Sequence, residues 1–252
     1  MESYKKQFAE TLAETKSLFF KKGLTLKDGR PTPYFVNMAM FKTGKLSTIL
    51  GDFYAAMIVE KNIMQQTDII LGPSYKGSAI ALSTVIALWK NYNIDLPFEY
   101  DRKEVKNHGE GSQTGSLFVN NTFFNGARLF IVDDVATSMG TKYELIDKIQ
   151  SESKKRYKQE IKVSGIGIGI DRQQTTAVYD QNGVVIENQK GEDAISTFTN
   201  KYGIPVYSVA GIKEVIDYLY NEKIPVLIDD EMQPINKKTM TIFKNYIATY
   251  GA

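Results

Sequence analysis

The stretch 129–142, LFIVDDVATSMGTK, constrains the fold of this chain more than any other. Its first four residues are apolar and typical of a buried β-strand, and the apolar spacing after Thr141 predicts a helix. The turn between them therefore lies at a strand's carboxyl end and a helix's amino end. Free backbone N–H groups and the positive end of the helix dipole favour anions there. The sequence thus predicts a phosphate site in this turn.

Two adjacent carboxylates, Asp133 and Asp134, come just before the turn. An arbitrary pair of this kind is more often a helix cap or a solvated turn. The residues that follow change the interpretation, because hydroxyl groups and a flexible backbone suit a phosphate monoester. We interpret the two acids as groups that face a metal ion or ribose hydroxyls. The phosphate would be held by Thr137, Ser138, Gly140 and Thr141.

Composition narrows the class of protein. The 252 residues suit one domain of good size with a small appendage. The 31 basic and 29 acidic residues give a net charge of only +2, so no general basic field invites nucleic acid. The lack of cysteine excludes disulfides and thiolate metal sites. The amino end has no signal-like apolar run, and we expect a soluble, cytoplasmic protein.

Apolar runs with strand and helix character alternate along most of the chain. Such an order predicts an α/β fold, a Rossmann-like, largely parallel sheet flanked by helices on both faces. We expect the core over residues 46–252, and a helix and small hood over residues 1–45. Within these parts we predict helices at 3–20, 46–61, 78–89, 141–157, 211–220 and 232–249, a hairpin at 24–41, and strands at 68–71, near 98–100, and at 129–132, 161–170 and 204–209. Residues 173–200 are expected to be an irregular surface excursion.

Two further strand ends carry candidate ligand groups. Tyr75 and Lys76 lie between glycines after a short strand, where open α/β sheets bind ligands. An exposed lysine is usually only solvated, so solvation and a ligand phosphate stay equal alternatives for Lys76. Arg172 follows another strand, and can hold a carboxylate in bidentate geometry or pair with a surface acid.

Residues 101–116, DRKEVKNHGEGSQTGS, are polar and glycine-bearing, which predicts a flexible exposed loop. A basic cluster in it can neutralise a pyrophosphate, and a loop that closes over substrate excludes water. The alternative is a disordered loop without a ligand. The cluster consists of Arg102, Lys103, Lys106 and the only histidine, His108.

The stretch 129–142 resembles the 5-phosphoribosyl-1-pyrophosphate (PRPP) motif of type I phosphoribosyltransferases. That family usually has one residue between the first loop threonine and the glycine, whereas Ser138 and Met139 both stand there. Four other motifs, LTLKDGRPTPYF, LGPSYKG, YDRKEVKNHGEG and IDRQ, occur with it in the order of orotate phosphoribosyltransferases. The resemblance covers roughly residues 15–220, and 151–162 and 173–200 match least.

The resemblance implies the type I phosphoribosyltransferase fold and a reaction. In that family Mg²⁺ assists transfer of the 5-phosphoribosyl group from PRPP to orotate, giving orotidine 5′-monophosphate and pyrophosphate in UMP biosynthesis. It also implies a homodimer that shares the catalytic loop across its interface. A phosphoribosyltransferase for another base, a non-catalytic PRPP-sensing regulator and a plain α/β interaction domain stay as alternatives.

Site roles follow from the resemblance, residue by residue. The catalytic set is Lys106, His108, Asp133 and Asp134. PRPP would be bound by Lys27, Tyr75, Lys76, Arg102, Lys103, Lys106, His108, Asp133, Asp134, Thr137, Ser138, Met139, Gly140 and Thr141. Orotate would be bound by Lys27, Phe35, Val36, Thr137 and Arg172. Substrate oxygens would hold most of the Mg²⁺ shell, with Asp133 and Asp134 nearby.

Overall fold

The computed structural model describes residues 1–102, 116–136 and 139–252, within which nine strands form two sheets. Seven α-helices accompany them. The strands are β1 (Leu18–Thr25), β2 (Pro31–Val36), β3 (Ile69–Leu71), β4 (Phe98–Glu99), β5 (Arg128–Ala136), β6 (Lys162–Asp171), β7 (Val206–Gly211), β8 (Pro225–Ile228) and β9 (Glu231–Pro234). The helices are α1 (Ser3–Glu14), α2 (Gly44–Glu60), α3 (Lys76–Tyr92), α4 (Gly140–Arg156), α5 (Ala194–Tyr202), α6 (Ile212–Asn221) and α7 (Lys237–Tyr250).

The main sheet has five parallel strands in the order β4-β3-β5-β6-β7. Its faces are both buried: on β5, Phe130 and Val132 face one core, and Leu129 and Ile131 face the other. Helices α1, α2, α3 and α6 contribute to the first core, and α4 and α5 to the second. Continuous apolar strands are what a doubly covered parallel sheet requires. The predicted α/β fold is confirmed.

The second sheet joins the two ends of the chain. Strands β1 and β2 form the predicted hairpin, and β1 also pairs in parallel with β8, so that the order is β2-β1-β8-β9. Helix α7 packs on this sheet, with the rings of Phe243 and Tyr246 against Tyr34. The division of the chain at residue 45 stays a prediction.

The amino-terminal helix is shorter than its pattern predicts. The expected helix over 3–20 ends at Glu14, and Lys16 adopts a left-handed backbone conformation with φ 57°. Leu18, Phe19 and Phe20 then pair with β2 as part of β1. Their β-favouring run outweighs the helical spacing of the apolar residues before it.

The closing helix begins later than predicted, at Lys237 rather than at residue 232. Asp229 and Asp230 have φ values of 46° and 74° and form a two-residue hairpin turn. Turns with two left-handed residues match the twist of the flanking strands, and aspartate tolerates that conformation. The next residues therefore form β9 before the helix can start.

Residues 173–200 are also more ordered than predicted. The segment ends in helix α5, which the Asp193 carboxylate caps by accepting hydrogen bonds from the N–H groups of Ile195 and Ser196. Phe198 is fully buried and packs edge-on against Tyr143. Irregular structure is confined to the residues before Asp193, which lie against the β1–β2 turn.

A buried carboxylate at the end of β4 organises the chain beyond the 103–115 gap. Glu99 is fully buried and accepts hydrogen bonds from four backbone N–H groups, at 2.7–3.0 Å, and from one hydroxyl. The donors belong to Tyr100, Val119, Asn120 and Thr122. Because every partner is a hydrogen-bond donor, both side-chain atoms at this position must be acceptors, as the two oxygens of a carboxylate are.

We predict that Glu99→Gln lowers the free energy of unfolding by about 2–3 kcal/mol, because one oxygen becomes an NH₂ group that faces donors. Urea unfolding followed by circular dichroism measures the change. The exposed Glu187→Gln is the control and should leave stability unchanged. A loss no larger than that of the control would contradict this account of the site.

Candidate active site

The candidate site lies at the carboxyl ends of β3, β5 and β6, where parallel sheets bind ligands. It brings together the 72–77 loop, the paired acids at the end of β5 and the start of α4. Arg172 follows the next strand, β6. Five predicted site residues lie outside the described residues, namely Lys103, Lys106, His108, Thr137 and Ser138.

Asp133 is buried, and both of its carboxylate oxygens have partners within the protein. Oδ2 accepts from Lys142 Nζ, and Oδ1 accepts from the backbone N–H of Asp134 at 2.9 Å. The hydroxyl of Tyr54 donates to its carbonyl oxygen at 2.6 Å. Gly169 makes room for that hydroxyl, since an added Cβ would lie 3.0 Å from it. The carboxyl end of β5 is therefore held by three contacts, from Lys142, from the backbone N–H of Asp134 and from the Tyr54 hydroxyl.

Lys142 is the main site residue that the sequence patterns missed. Its side chain is almost fully buried, and Nζ also donates to the carbonyl oxygen of Val135 at 3.1 Å. A cation in the first turn of a helix is disfavoured by the dipole, so it needs an acid partner. A lysine at a helix start, with the acid Asp133 nine residues earlier, is the sequence pattern that could have predicted this ion pair.

Asp134 has a different environment from its neighbour. One oxygen accepts from the backbone N–H of Val135 at 2.8 Å, and the other pairs with Lys76 Nζ at 2.8 Å. The Lys76 side chain is 62% exposed. Asp134 is only 14% exposed, so the lysine is the solvated member of the pair and can leave it for a phosphate while the carboxylate stays in place. The structure thus brings two predicted site residues together.

A cleft of about 140 Å³ opens beside the Lys76–Asp134 pair. It lies between the 3-10 turn Met38–Met40, α2 and the first turns of α3. Tyr75, in the same loop as Lys76, is exposed. The other lining residues are Phe41, Ser47, Leu50, Ala79, Ile80 and Ser83.

The predicted phosphate turn is described from Met139 onward. Met139 adopts a left-handed conformation with φ 59°, and its side chain is buried in the core under α4. Only its backbone can therefore meet a ligand. Gly140 and Thr141 are exposed in the first turn of α4. Backbone N–H groups at the start of a helix have no acceptor within the helix, and those of Gly140 and Thr141 therefore suit a phosphate.

The guanidinium of Arg172 is buried, and two of its nitrogens lack a partner among the described residues. Its side chain is buried with the guanidinium 5.0 Å from the centre of the Tyr34 ring. Nε and Nη2 have no hydrogen-bond partner among the described residues. Burial raises the pKa of Tyr34 to about 12, although the charge of Arg172 opposes that rise, so the phenol is neutral at pH 7. Unsatisfied buried donors cost about 1–3 kcal/mol each, which a bound carboxylate would recover.

The predicted orotate residues of the β1–β2 hairpin differ in what they present. Lys27 is exposed in the turn, Phe35 is half-buried with its ring tilted against that of Phe19, and Val36 faces the core. Residues that follow Arg172 hold this turn: the Thr175 carbonyl accepts from Arg30 at 2.7 Å. The hairpin turn and the end of β6 are thus tied together.

Among the described residues, no three acidic or imidazole side chains meet as a metal cage. The available donors are the adjacent Asp133 and Asp134, and each is already paired with a lysine. This donor set fits an ion such as Mg²⁺ that takes most of its oxygen ligands from a substrate and water. It does not fit a metal held by protein alone.

Curated relatives match the chain over nearly its whole length, although no protein-family model matches it. An orotate phosphoribosyltransferase of Clostridium beijerinckii is 34% identical over 236 residues, covering 92% of this chain and 94% of that protein. Another, from Vibrio cholerae, is 34% identical, and the match covers 100% of both chains. The chain belongs to the orotate phosphoribosyltransferase family. This transferase family is the one that the five sequence motifs predicted.

Solved structures agree with this family assignment. The crystal structure of orotate phosphoribosyltransferase from Francisella tularensis has a TM-score of 0.75 and 26% identity, and covers 98% of this chain and 100% of that one. A Mycobacterium tuberculosis orotate phosphoribosyltransferase in complex with PRPP, at 14% identity and a TM-score of 0.53, shares the fold over 84% of this chain.

The described helices of the present enzyme include none long and apolar enough to cross a bilayer.

We predict that Lys142→Met lowers the free energy of unfolding by about 3–5 kcal/mol, because it leaves the buried Asp133 carboxylate without its cation. Urea unfolding at neutral pH measures the loss. Lys154→Met, which removes an exposed cation from the same helix, is the matched control and should cost far less. Equal losses in the two variants would show that the buried pair is unimportant for stability.

Proposed function

We propose that this chain catalyses Mg²⁺-dependent transfer of the 5-phosphoribosyl group from PRPP to orotate, as a homodimer in the cytoplasm. The observation that carries the proposal is the buried Arg172 fork, which has no partner among the described residues and lies at the same sheet edge as the Lys76–Asp134 pair. Orotate is a base with a carboxylate, and a guanidinium fork binds carboxylates in bidentate geometry. Neutral bases leave the fork unsatisfied.

The charges of the site match those that develop in the reaction. Breaking the bond between ribose C1 and pyrophosphate leaves positive charge on the sugar and negative charge on the leaving group. Asp134 accepts hydrogen bonds from ribose hydroxyls, and Lys76 leaves it to bind the pyrophosphate. Asp133 supports the same edge of the ribose. A bound Mg²⁺ would neutralise charge on the pyrophosphate and ribose oxygens.

The two ends of PRPP are bound by different elements. The 5-phosphate lies on the first turn of α4, where Gly140 and Thr141 supply N–H groups and a hydroxyl. Thr137, Ser138 and the backbone of Met139 complete this cradle. The pyrophosphate lies beside Tyr75 and Lys76, with further cations supplied by the 101–116 loop. Those are Arg102, Lys103, Lys106 and His108, of which Lys106 is the main loop catalyst.

Orotate lies between the end of β6 and the hood. Arg172 binds its carboxylate, Lys27 and Thr137 contact its polar edge, and Phe35 and Val36 border it through their strand. The ring nitrogen of orotate then attacks ribose C1 from the face opposite the pyrophosphate. The products are orotidine 5′-monophosphate and pyrophosphate. A PRPP-sensing regulator would need neither the fork nor the loop cations.

Arg172→Met tests the base. Orotate consumption with PRPP and Mg²⁺, followed by ultraviolet absorbance, should give a kcat/KM for orotate about tenfold to hundredfold below wild type, since a hydrogen bond to a charged group is lost. Arg128→Met, which removes an arginine at the opposite end of β5, is the control and should keep wild-type kinetics. Wild-type turnover of uracil or hypoxanthine instead of orotate would overturn the assignment.

An exposed apolar stripe on α3 supports the homodimer. Leu82, Ile86 and Trp89 are spaced four and three residues apart, so they share one face of the helix, and each is 43–54% exposed. Contiguous apolar surface of this kind marks interfaces. The helix begins at Lys76 of the site, so a second copy on this face would lie beside the pyrophosphate loop.

We expect Trp89→Glu to convert the dimer to a single chain of 28.4 kDa, because a buried carboxylate opposes association. Sedimentation velocity measures the mass. Activity should fall as the dimer dissociates, because the proposed site is shared between the two copies. Ile242→Glu, a change at an equally exposed isoleucine on α7, is the control and should remain dimeric. A dimeric Trp89→Glu protein would exclude the α3 face as the interface.

A further inference from the structure

The Asp101 carboxylate is buried at the meeting point of three elements of the site. Oδ1 accepts from the backbone N–H of Ser74, at 2.7 Å, within the 72–77 loop. Oδ2 accepts from Lys148 Nζ of helix α4 at 2.5 Å. The Asp101 carbonyl accepts from the Ser74 hydroxyl at 2.5 Å. One residue after β4 therefore connects the loop of Tyr75 and Lys76 to helix α4.

Through helix α4, this connection reaches the turn assigned to the 5-phosphate. The helix begins at Gly140, in the turn assigned to the 5-phosphate, and Lys148 follows about two turns later on the same rigid element. The contacts from Lys148 through Asp101 to Ser74 thus run from the helix of the 5-phosphate turn to the pyrophosphate loop. We call these contacts the Lys148–Asp101–Ser74 link.

A second contact on the same helix face strengthens this geometry. Glu152, one turn beyond Lys148, accepts a hydrogen bond from the Ser116 hydroxyl at 2.8 Å. The chain on both sides of the 103–115 gap is paired directly, since the N–H of Arg102 donates to the Leu117 carbonyl at 2.7 Å. Helix α4 therefore holds both of these chain segments, at Asp101 and at Ser116.

We propose that Lys148 and Asp101 are positioning residues that fix the spacing between the two phosphate-binding ends of the PRPP site. This inference rests on the proposed function. PRPP has a 5-phosphate and a pyrophosphate a set distance apart, so a site whose two ends are already spaced loses less entropy on binding. Neither residue touches the substrate. Both act through Ser74 on the loop that carries Lys76.

The alternative is that Lys148 and Asp101 are an ordinary packing pair. Binding of the fragments of PRPP distinguishes this structural role from the positioning role. Inorganic pyrophosphate binds at the 72–77 end, with the cations of the 101–116 loop, whereas the phosphate of ribose 5-phosphate binds at the α4 end and makes no use of the 72–77 loop. A packing defect would lower stability without separating these ligands. Loss of positioning would weaken pyrophosphate and PRPP while ribose 5-phosphate and orotate keep their affinities.

The experiment is Lys148→Met, with the two fragments titrated by calorimetry in the presence of Mg²⁺. We expect pyrophosphate to bind about fivefold to tenfold more weakly and the KM for PRPP to rise by a similar factor. The Kd for ribose 5-phosphate and the KM for orotate should stay at wild-type values. Lys148→Arg, which keeps the charge, should recover most of the loss.

Asp101→Asn provides an independent variant, because it keeps an oxygen for the Ser74 N–H and removes only the charge that attracts Lys148. Combined with Lys148→Met it should weaken pyrophosphate no further than either change alone. Additive effects, or equal weakening of both fragments, would overturn the inference. Arg128→Met breaks a comparable ion pair away from the site and should leave both fragments unaffected.

The two proposals fail in different ways. Wild-type protein that consumes no orotate would refute the proposed function before any variant is measured. Wild-type activity together with unchanged pyrophosphate binding in Lys148→Met would refute only the positioning role. Unfolding measurements on each variant show whether the protein is intact, and Ser74→Ala removes just one hydroxyl contact of the link should Lys148→Met prove unstable.

Discussion

The buried ion pair between Lys142 and Asp133 is the interaction on which the site depends. It joins the end of the central strand β5 to the first turn of α4, across the turn assigned to phosphate. Two buried charges are stable only when they are paired and well bonded, and here backbone groups of Asp134 and Val135 complete the bonding. The ion pair thereby fixes the angle between strand β5 and helix α4.

The ion pair also gives the two neighbouring acids different environments. Asp133 has its oxygens committed within the protein, whereas Asp134 has one oxygen on the exposed Lys76. Asp134, the carboxylate that we assign to the ligand, is thus held by a hydrogen bond from its backbone N–H to its buried neighbour. Exchange of partners is easier at the Lys76–Asp134 pair, because water can solvate the exposed ammonium of Lys76 when it leaves. One Asp-Asp dipeptide supplies both a rigid support and a replaceable contact.

Much of this architecture is readable from the sequence, because strand-end motifs report local geometry. The 129–142 motif, the 72–77 loop and Arg172 all fall at strand ends as predicted. What could not be read depends on distant partners: Lys142 needs a buried acid, and the β9 turn needs two left-handed aspartates. The end of the first helix depended on pairing with β2, which no local pattern contains. Residues 103–115 and 137–138 lie outside the described structure.

The sheet that joins β1 to β8 has a consequence for biosynthesis. Lys21 pairs with Asp230, 209 positions later, so β1 has β2 beside it early but gains its second partner strand, β8, only when the ribosome has made nearly the entire chain. Contacts so distant in sequence form slowly, because a long loop must close first. The five strands of the main sheet are all present once Gly211 has been made, whereas the pairing of β1 with β8 must wait for residues 225–228. A nascent chain therefore has every strand of its main sheet before it can complete the second one.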